Sequence, residues 1–282
     1  MGRILIDLLE LTKPRVTFLV LFTATVGLWV APQRPSLLVI FATLAGLSLA
    51  VGGVNALNMF LERDTDGLME RTRARPLPAG RLEPTISLWF GLALSLGGVA
   101  VMAALVNLLS GLLTLVAVMS YISLYTPLKQ HSPWALHVGA IPGAMPPLIG
   151  WTAASGSLGA GGFALFGIIF LWQIPHFLAI ALFRKEDYAR AGIRVLPVIK
   201  SLRETKIQMI VSQVLLVPVS LLPVYLGIAG SMYLVAAIIL NVMFLIVGLQ
   251  GLRATQIESW ARRVFLMSLI YLSVLYAVLL IP

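Results

Sequence analysis

The chain has 282 residues, 59% of them apolar and only 11% charged, with a mean hydropathy of +0.97. An ordinary soluble domain is roughly 45–50% apolar, so a water-soluble core of this size is excluded and lipid must cover the excess. Twenty Lys and Arg against eleven Asp and Glu give a net charge of +9, and cysteine is absent; disulfides, thiolate chemistry and covalent C-x-x-C-H haem attachment are thereby excluded.

Nine apolar stretches follow one another along the chain, at about 14–31, 36–60, 85–104, 108–127, 135–153, 161–183, 207–227, 232–250 and 262–281. About 20 apolar residues span a bilayer, and backbone in lipid must satisfy its own hydrogen bonds. None of the stretches alternates, so the expectation is an all-α polytopic membrane protein with nine transmembrane helices, in a single domain over 1–282. The first stretch is short, but it ends in "LWVAP" without a small-x-small cleavage site, so it is expected to be retained as a span rather than removed as a signal peptide.

Nine spans place every Lys and Arg except Arg34 on one side. The positive-inside rule makes that side the cytoplasm and puts the C-terminus outside, as in an inner cell membrane. All eleven acidic residues fall on the same side, which the rule does not require. The basic excess then reads as topology and attraction to anionic lipid; with no soluble basic domain, a nucleic acid is not expected as a partner. The two long cytoplasmic loops, 61–84 and 184–206, follow the second and sixth spans, a pattern that two four-helix units and an appended ninth helix would produce.

The first of these loops concentrates charge. Between Asn58 and Arg81 stand four carboxylates (Glu62, Asp64, Asp66, Glu70) and five arginines (Arg63, Arg71, Arg73, Arg75, Arg81). Asn58, Glu62 and Asp66 are spaced i, i+4, i+8, one face of a helix continuing out of the second span. Oxygen ligands in that register suit Mg²⁺, which takes one or two carboxylates and completes its shell with water and substrate phosphates. Arg71 and Arg75, also four apart, suit anionic oxygens. The plainer reading is a solvated loop that fixes topology, but topology needs no Asn and carboxylates in helical register.

Three further segments carry polar groups in or beside apolar spans. "LWQIPHFLAIALFRKEDYARAGIRVLP" (171–197) leaves the sixth span through Gln173, Pro175 and His176 and reaches Lys185, Glu186 and Asp187. Pro175 cannot donate to the carbonyl of Leu171, so a kink is expected there, and polar groups in a span are functional candidates. For Glu186 and Asp187 a solvated helix end competes with a metal role. "YTPLKQ" puts Tyr125 and Lys129 on one helical face, either to hold a phosphate or as ordinary interfacial anchors. "HVGAIPGAMPPLIGW" (137–151) is expected to break the fifth span at Pro142, Pro146 and Pro147; irregular backbone at membrane depth lines cavities. His137 there either lines the cavity or pairs with a neighbour.

Charged helix ends above roomy apolar helices suit a prenyl diphosphate, with its head at the rim and its chain in the membrane. Ionising an allylic carbon–oxygen bond requires neutralisation of the leaving diphosphate, by Mg²⁺ and by cationic side chains. A transporter would put ionisable groups near the midplane instead.

Four strings resemble the UbiA superfamily of intramembrane prenyltransferases, and within it the protohaem IX farnesyltransferase branch: "LTKPRVTFL" (11–19), "NMFLERDTDGLMERTRARPLPAG" (58–80), "YTPLKQHSPWALHVGAIPGAMPPLIGW" (125–151) and "WQIPHFLAIALFRKEDYARAGIRVLPV" (172–198). The first aspartate-rich motif of that superfamily maps onto Asn58, Glu62 and Asp66, with Glu62 in place of the usual aspartate. Its tyrosine–lysine motif maps onto Tyr125 and Lys129. The second aspartate motif is eroded: His176 stands near the place of an aspartate, with Lys185 and Asp187 beyond it, which favours haem over an aromatic quinone precursor as acceptor.

The resemblance implies a nine-helix UbiA-like bundle and farnesyl transfer from farnesyl diphosphate to the 2-vinyl group of haem B, with water added to give haem O. It implies Mg²⁺ held with diphosphate by Asn58, Glu62, Asp66 and Asp187, and a leaving group neutralised by Arg71, Arg75, Lys129 and Lys185, with Arg15 reaching the same cavity. His137 or His176 would orient the haem or ligate its iron, and Arg190 or Arg194 would meet its propionates. Haem A synthase or a terminal oxidase would receive the product.

Overall fold

A computed structural model describes residues 2–281, whose regular elements are all helices, with no strand among them. The chain opens with α1 (Gly2–Leu11), a helix separate from the apolar stretches. It buries Asp7 and Leu11 and exposes Ile4, Leu5, Ile6 and Leu9. Two residues later α2 (Pro14–Val30) begins with proline in its first turn, where the missing N–H costs nothing. The residue before a proline is disfavoured from the right-handed helical region. Lys13 takes the left-handed one (φ 49°, ψ 66°), the only non-glycine positive φ among the described residues. That turn separates α1 from α2, and the Lys13 side chain reaches Asn58 of the helix that follows α2.

α3 (Leu37–Gly67) runs for 31 residues, about 46 Å at 1.5 Å per residue, against a hydrocarbon core of about 30 Å. Its last turns therefore stand clear of the apolar layer, as the spacing of Asn58, Glu62 and Asp66 requires. α4 (Pro84–Val101) loosens into a π-turn at Met102–Val106. Asn107 then restarts the chain: its side chain accepts from Ser110 N (2.8 Å) and donates to the Thr152 carbonyl (3.0 Å). α5 (Leu108–Met119) leads through a second π-turn, Ser120–Tyr125, into α6 (Thr126–His131). Pro127 offers no N–H and its ring crowds the preceding turn; the wider turn, closed by Thr126 N on Tyr121 O, accommodates it.

α7 (Ala135–Ser155) and α8 (Ala160–Phe183) stay continuous through Pro142, Pro146, Pro147 and Pro175. The expected break of the fifth span is thus absent, and Pro175 does not end its helix. Membrane helices tolerate proline where neighbouring groups take up the freed backbone. α2 lies backbone to backbone on α7: a Cβ on Gly27 would collide with the Pro147 carbonyl, and one on Gly150 with that of Ala24. Such small-residue contacts are how membrane helices approach closely without a hydrophobic driving force. α9 (Lys185–Arg190) and α10 (Leu196–Ile199) are short turns in the second loop, followed by α11 (Leu202–Tyr225), α12 (Ser231–Gln250) and α13 (Ile257–Val278).

Seven helices are long and apolar enough to cross a membrane: α3, α4 with its π-turn, α5 through α6, α8, α11, α12 and α13. The protein is an integral, multi-pass membrane protein. α2 is apolar but has 17 residues, and in α7 the prolines, glycines and His137 dilute the hydropathy. The largest core lies between α8 and α11–α13, around Trp172, Tyr233, Phe244, Trp260, Tyr271 and Tyr276.

Candidate active site at the charged rim

The protruding end of α3 supplies the centre. Asn58, Glu62 and Asp66 are 3%, 5% and 1% exposed, unusual for ionised carboxylates unless they are paired. Each meets a cation from another segment. Lys129 of α6 donates to both Glu62 oxygens at 3.1 and 3.2 Å, and Arg75 Nη1 reaches Asp66 Oδ2 at 2.6 Å. Lys13 Nζ donates to Asn58 Oδ1 at 3.3 Å, while Asn58 Nδ2 reaches Thr126 Oγ1 at 3.4 Å.

The flanking backbone is pinned. Asn55 Nδ2 donates to the Thr12 carbonyl (3.2 Å), which fixes the residue before Lys13. The fully buried Thr72 donates its hydroxyl to the Asp66 carbonyl (2.7 Å), which folds the arginine loop back over α3. Removal from water, with Arg75 close by, pushes the Lys13 ammonium down to about 7 despite the opposing pull of Glu62.

Tyr125 packs its ring on Gly139 of α7, where a Cβ would strike it, and meets Tyr121 edge-on at 4.9 Å. The second loop is footed on the first by apolar packing: Met69 of the first loop clusters with Ala191, Ile193, Tyr188 and Val195 of the second.

Other expected residues lie apart. Arg15 and Lys185 are exposed, with no side-chain hydrogen bond among the described residues. Asp187 is 8% exposed and is held by Arg190 and by Arg184 (3.7 Å), both on its own segment. Arg71 is exposed. His137 is half-buried, its Nδ1 without a partner, tilted against Trp134.

His176 sits seven residues inside the end of α8, about 10 Å below it, stacked on Trp172 and tilted against Phe265. Ser268 of α13 donates its hydroxyl to the Phe265 carbonyl at 2.6 Å. With that proton spent, Ser268 Oγ accepts from His176 Nδ1 at 2.7 Å. The neutral ring then keeps its lone pair on Nε2, which has no partner among the described residues.

Sequence reasoning missed Lys13, Thr126 and Tyr188. Nothing in "KPR" says which of its two cations turns inward; the left-handed backbone at Lys13 brings that side chain to Asn58, while Arg15 is exposed. Thr126 and Tyr188 carry no signal beyond their neighbours.

No group of three His, Asp or Glu that could hold a metal occurs among the described residues. Two carboxylates and an amide remain, and that donor set fits Mg²⁺, which keeps water and phosphate as its other ligands. With Lys13 protonated, Lys13, Arg75 and Lys129 exceed Glu62 and Asp66 by one positive charge; with it neutral, the five groups balance. A site so composed can exchange its internal ion pairs for a metal and a polyanion together, at the rim of apolar helices.

A buried cluster of paired ions thus stands at one end of helices apolar enough to cross a membrane. Residues 20–270 match the UbiA prenyltransferase family. The chain is 47% identical to a protein named protoheme IX farnesyltransferase from Myxococcus xanthus, over 97% of this chain and 93% of the relative. The chain therefore belongs to the UbiA prenyltransferase family, and it is a prenyltransferase. Solved structures share the fold. A digeranylgeranylglyceryl phosphate synthase superposes with a TM-score of 0.85 at 17% identity, over 100% of this chain and 98% of its own. A UbiA homologue from Archaeoglobus fulgidus bound to GPP and Mg²⁺ superposes with a TM-score of 0.65 at 16% identity, over 97% and 99%.

Proposed function

We propose that this prenyltransferase makes haem O, joining the farnesyl group of farnesyl diphosphate and one water to the 2-vinyl group of haem B and releasing diphosphate. The relative's name supports the acceptor and the donor. The observation that carries the chemistry is the pairing of buried Glu62 and Asp66 with Lys129 and Arg75 around Asn58. Bound Mg²⁺ would supply Lewis-acid neutralisation of the leaving diphosphate.

In this reading Asn58, Glu62 and Asp66 hold the metal, with Asp187 approaching from the second loop. Lys13, Lys129 and Arg75 turn from their carboxylates and amide to the diphosphate oxygens, and Arg71, Lys185 and Arg15 add positive charge around the mouth. The farnesyl carbon–oxygen bond breaks with its electron pair going to diphosphate. The vinyl π electrons close the new carbon–carbon bond, and water captures the cation left beside the pyrrole ring and loses a proton. His176 presents Nε2 to the haem iron, its tautomer set by Ser268; His137 stands nearer the rim, and Arg190 or Arg194 would meet the propionates.

The wider setting belongs to the same proposal. α2 and α7 complete nine spans, arranged as two four-helix units and a ninth, in one domain. The rim faces the cytoplasm across the inner membrane, and haem A synthase or a terminal oxidase takes the product. Purified protein given haem B and farnesyl diphosphate, with and without Mg²⁺, tests the reading by mass analysis of the porphyrins. Haem enlarged by farnesyl plus water, only with Mg²⁺, is the expected result. Prenylation of an aromatic acceptor with haem untouched would overturn the choice of acceptor.

A further inference from the structure

Arg81 lies outside the cluster that holds the metal and diphosphate, yet it is bound at all three guanidinium nitrogens. Nε donates to Asp7 Oδ1 at 2.9 Å, Nη2 to Glu10 Oε2 at 2.8 Å and Nη1 to the Ala74 carbonyl at 2.6 Å. Two of these partners belong to α1 and the third to the arginine loop. The Arg81 side chain is 26% exposed and that of Asp7 is 5% exposed, so the first bond is well shielded, unlike an ordinary surface pair worth about 0–1 kcal/mol.

The partners stand next to the site in sequence. The Ala74 carbonyl belongs to the peptide that leads into Arg75, whose guanidinium holds Asp66. Glu10 is three residues before Lys13, which holds Asn58. Lys13 and Arg75 thus arrive at α3 from two segments whose other link among the described residues is an apolar cluster, in which Leu8 and Leu11 of α1 and Leu77 and Leu82 of the loop gather with Ala56 and Met59 of α3. Apolar contact is non-directional and allows sliding, whereas a planar fork on three acceptors fixes both distance and orientation.

We propose that Arg81 is a positioning residue for the diphosphate site: it cross-braces α1 and the arginine loop, so that Lys13 and Arg75 are held at the separation a metal–diphosphate complex requires. The assignment rests on the proposed diphosphate chemistry. Arg81 itself touches no substrate, and it acts on affinity for the anion rather than on the acceptor. Lysine cannot replace it, because one ammonium at the end of a flexible stem cannot span two carboxylates and a carbonyl in a fixed plane.

The test is calorimetric binding of inorganic diphosphate with Mg²⁺ to the full chain in detergent, together with the farnesylation assay. Arg81→Lys, Arg81→Ala and Asp7→Asn should each weaken diphosphate binding, with Arg81→Ala reaching about tenfold, within the range seen when groups that orient a ligand-holding residue are lost. KM for farnesyl diphosphate should rise in parallel, while kcat at saturation and KM for haem B stay within about twofold of the parent; a purely structural brace would not produce that split. The double variant Arg81→Ala/Asp7→Asn should be no weaker than Arg81→Ala, since both remove one contact. Should Arg81→Ala fail to fold, Arg81→Lys and Asp7→Asn carry the test. Variants that bind diphosphate like the parent, or lose both substrates and kcat together, overturn the positioning role. A parent protein that does not bind diphosphate with Mg²⁺ overturns the proposed chemistry itself, and the brace with it.

Discussion

Two parts of the molecule bury polar groups, and they do so in opposite ways. Between α11, α12 and α13 the groups are neutral and most are tied in a fixed chain, although Gln213 Oε1 of α11 is buried without a partner among the described residues. Tyr271 donates its hydroxyl to Asn241 Oδ1 (2.9 Å), Asn241 Nδ2 donates to Ser220 Oγ (2.8 Å), and Tyr233 donates to the Ser220 carbonyl (2.8 Å). At the rim the buried groups are ions, drawn from α3, α6, the turn before α2 and the arginine loop. A neutral chain of hydrogen bonds in an apolar core fixes geometry and offers a ligand nothing to exchange. Buried ion pairs gain little for stability, because desolvating the charges offsets most of their attraction. Their presence at the rim is therefore better explained by what replaces them: a cation for the carboxylates and a polyanion for Lys13, Arg75 and Lys129.

If the rim ions are there for substrate, removing one should cut turnover per folded molecule, over and above whatever stability the broken pair costs. Asp66→Asn keeps size and hydrogen bonding but loses the charge that faces Arg75 and would face Mg²⁺. A fall in kcat/KM on the order of 10²–10³ is expected, the scale of losing one electrostatic contact to a developing charge. The thermal midpoint, read by scanning fluorimetry, should fall as well, because Arg75 is left without its buried counter-charge, but the loss of kcat/KM should persist at temperatures where the variant is folded. A large loss of stability with activity per folded molecule preserved would place Asp66 in the structural class instead.

The rim should also respond to pH where the neutral core does not. Burial and Arg75 hold Lys13 at about 7, well below the usual 10.5, so without substrate the ammonium is present below about pH 7 and lost above it. Diphosphate requires the charged form. KM for farnesyl diphosphate should therefore rise above pH 7, with a limiting slope of about tenfold per pH unit for one proton. Lys13→Met should start from a higher KM and lose that slope. For stability the sign is opposite: the folded state favours neutral Lys13, so its contribution improves from pH 7 toward 10.5. A slope that survives in Lys13→Met would assign the titration to another group.

How far these regions could be read beforehand follows the same division. The Asn58–Glu62–Asp66 face was legible because helical register carries past the membrane, and α3 is long enough to deliver it. Lys129 was legible through its spacing from Tyr125. Arg15 was favoured over Lys13 because spacing says nothing about which way a cap residue points; the left-handed turn before Pro14 decides that. α1 was missed because ten residues carrying Arg3, Asp7 and Glu10 do not register as a span. Continuity of α7 was missed because three prolines weigh heavily in sequence, while the close packing of α2 against Gly150 is a tertiary fact. The Ser220–Asn241–Tyr271 chain joins three helices and has no local spacing to betray it.

That chain supplies the smallest effects and the sharpest control. Asn241→Leu leaves the Tyr271 hydroxyl without its acceptor and Ser220 Oγ without its donor, and should cost about 1–3 kcal/mol. Tyr271→Phe removes one donor and frees one acceptor lone pair, and should cost about 1 kcal/mol, nearer the 0.6 kcal/mol average for such bonds between membrane helices. Both values are read from unfolding in mixed micelles. Since neither residue touches the rim, KM for farnesyl diphosphate, its pH slope and kcat per folded molecule should all stay at parental values. A Tyr271→Phe variant with intact stability but altered KM would mean that the α11–α13 network transmits to the site, and the division between a fixed core and an exchangeable rim would then fail at its quieter end.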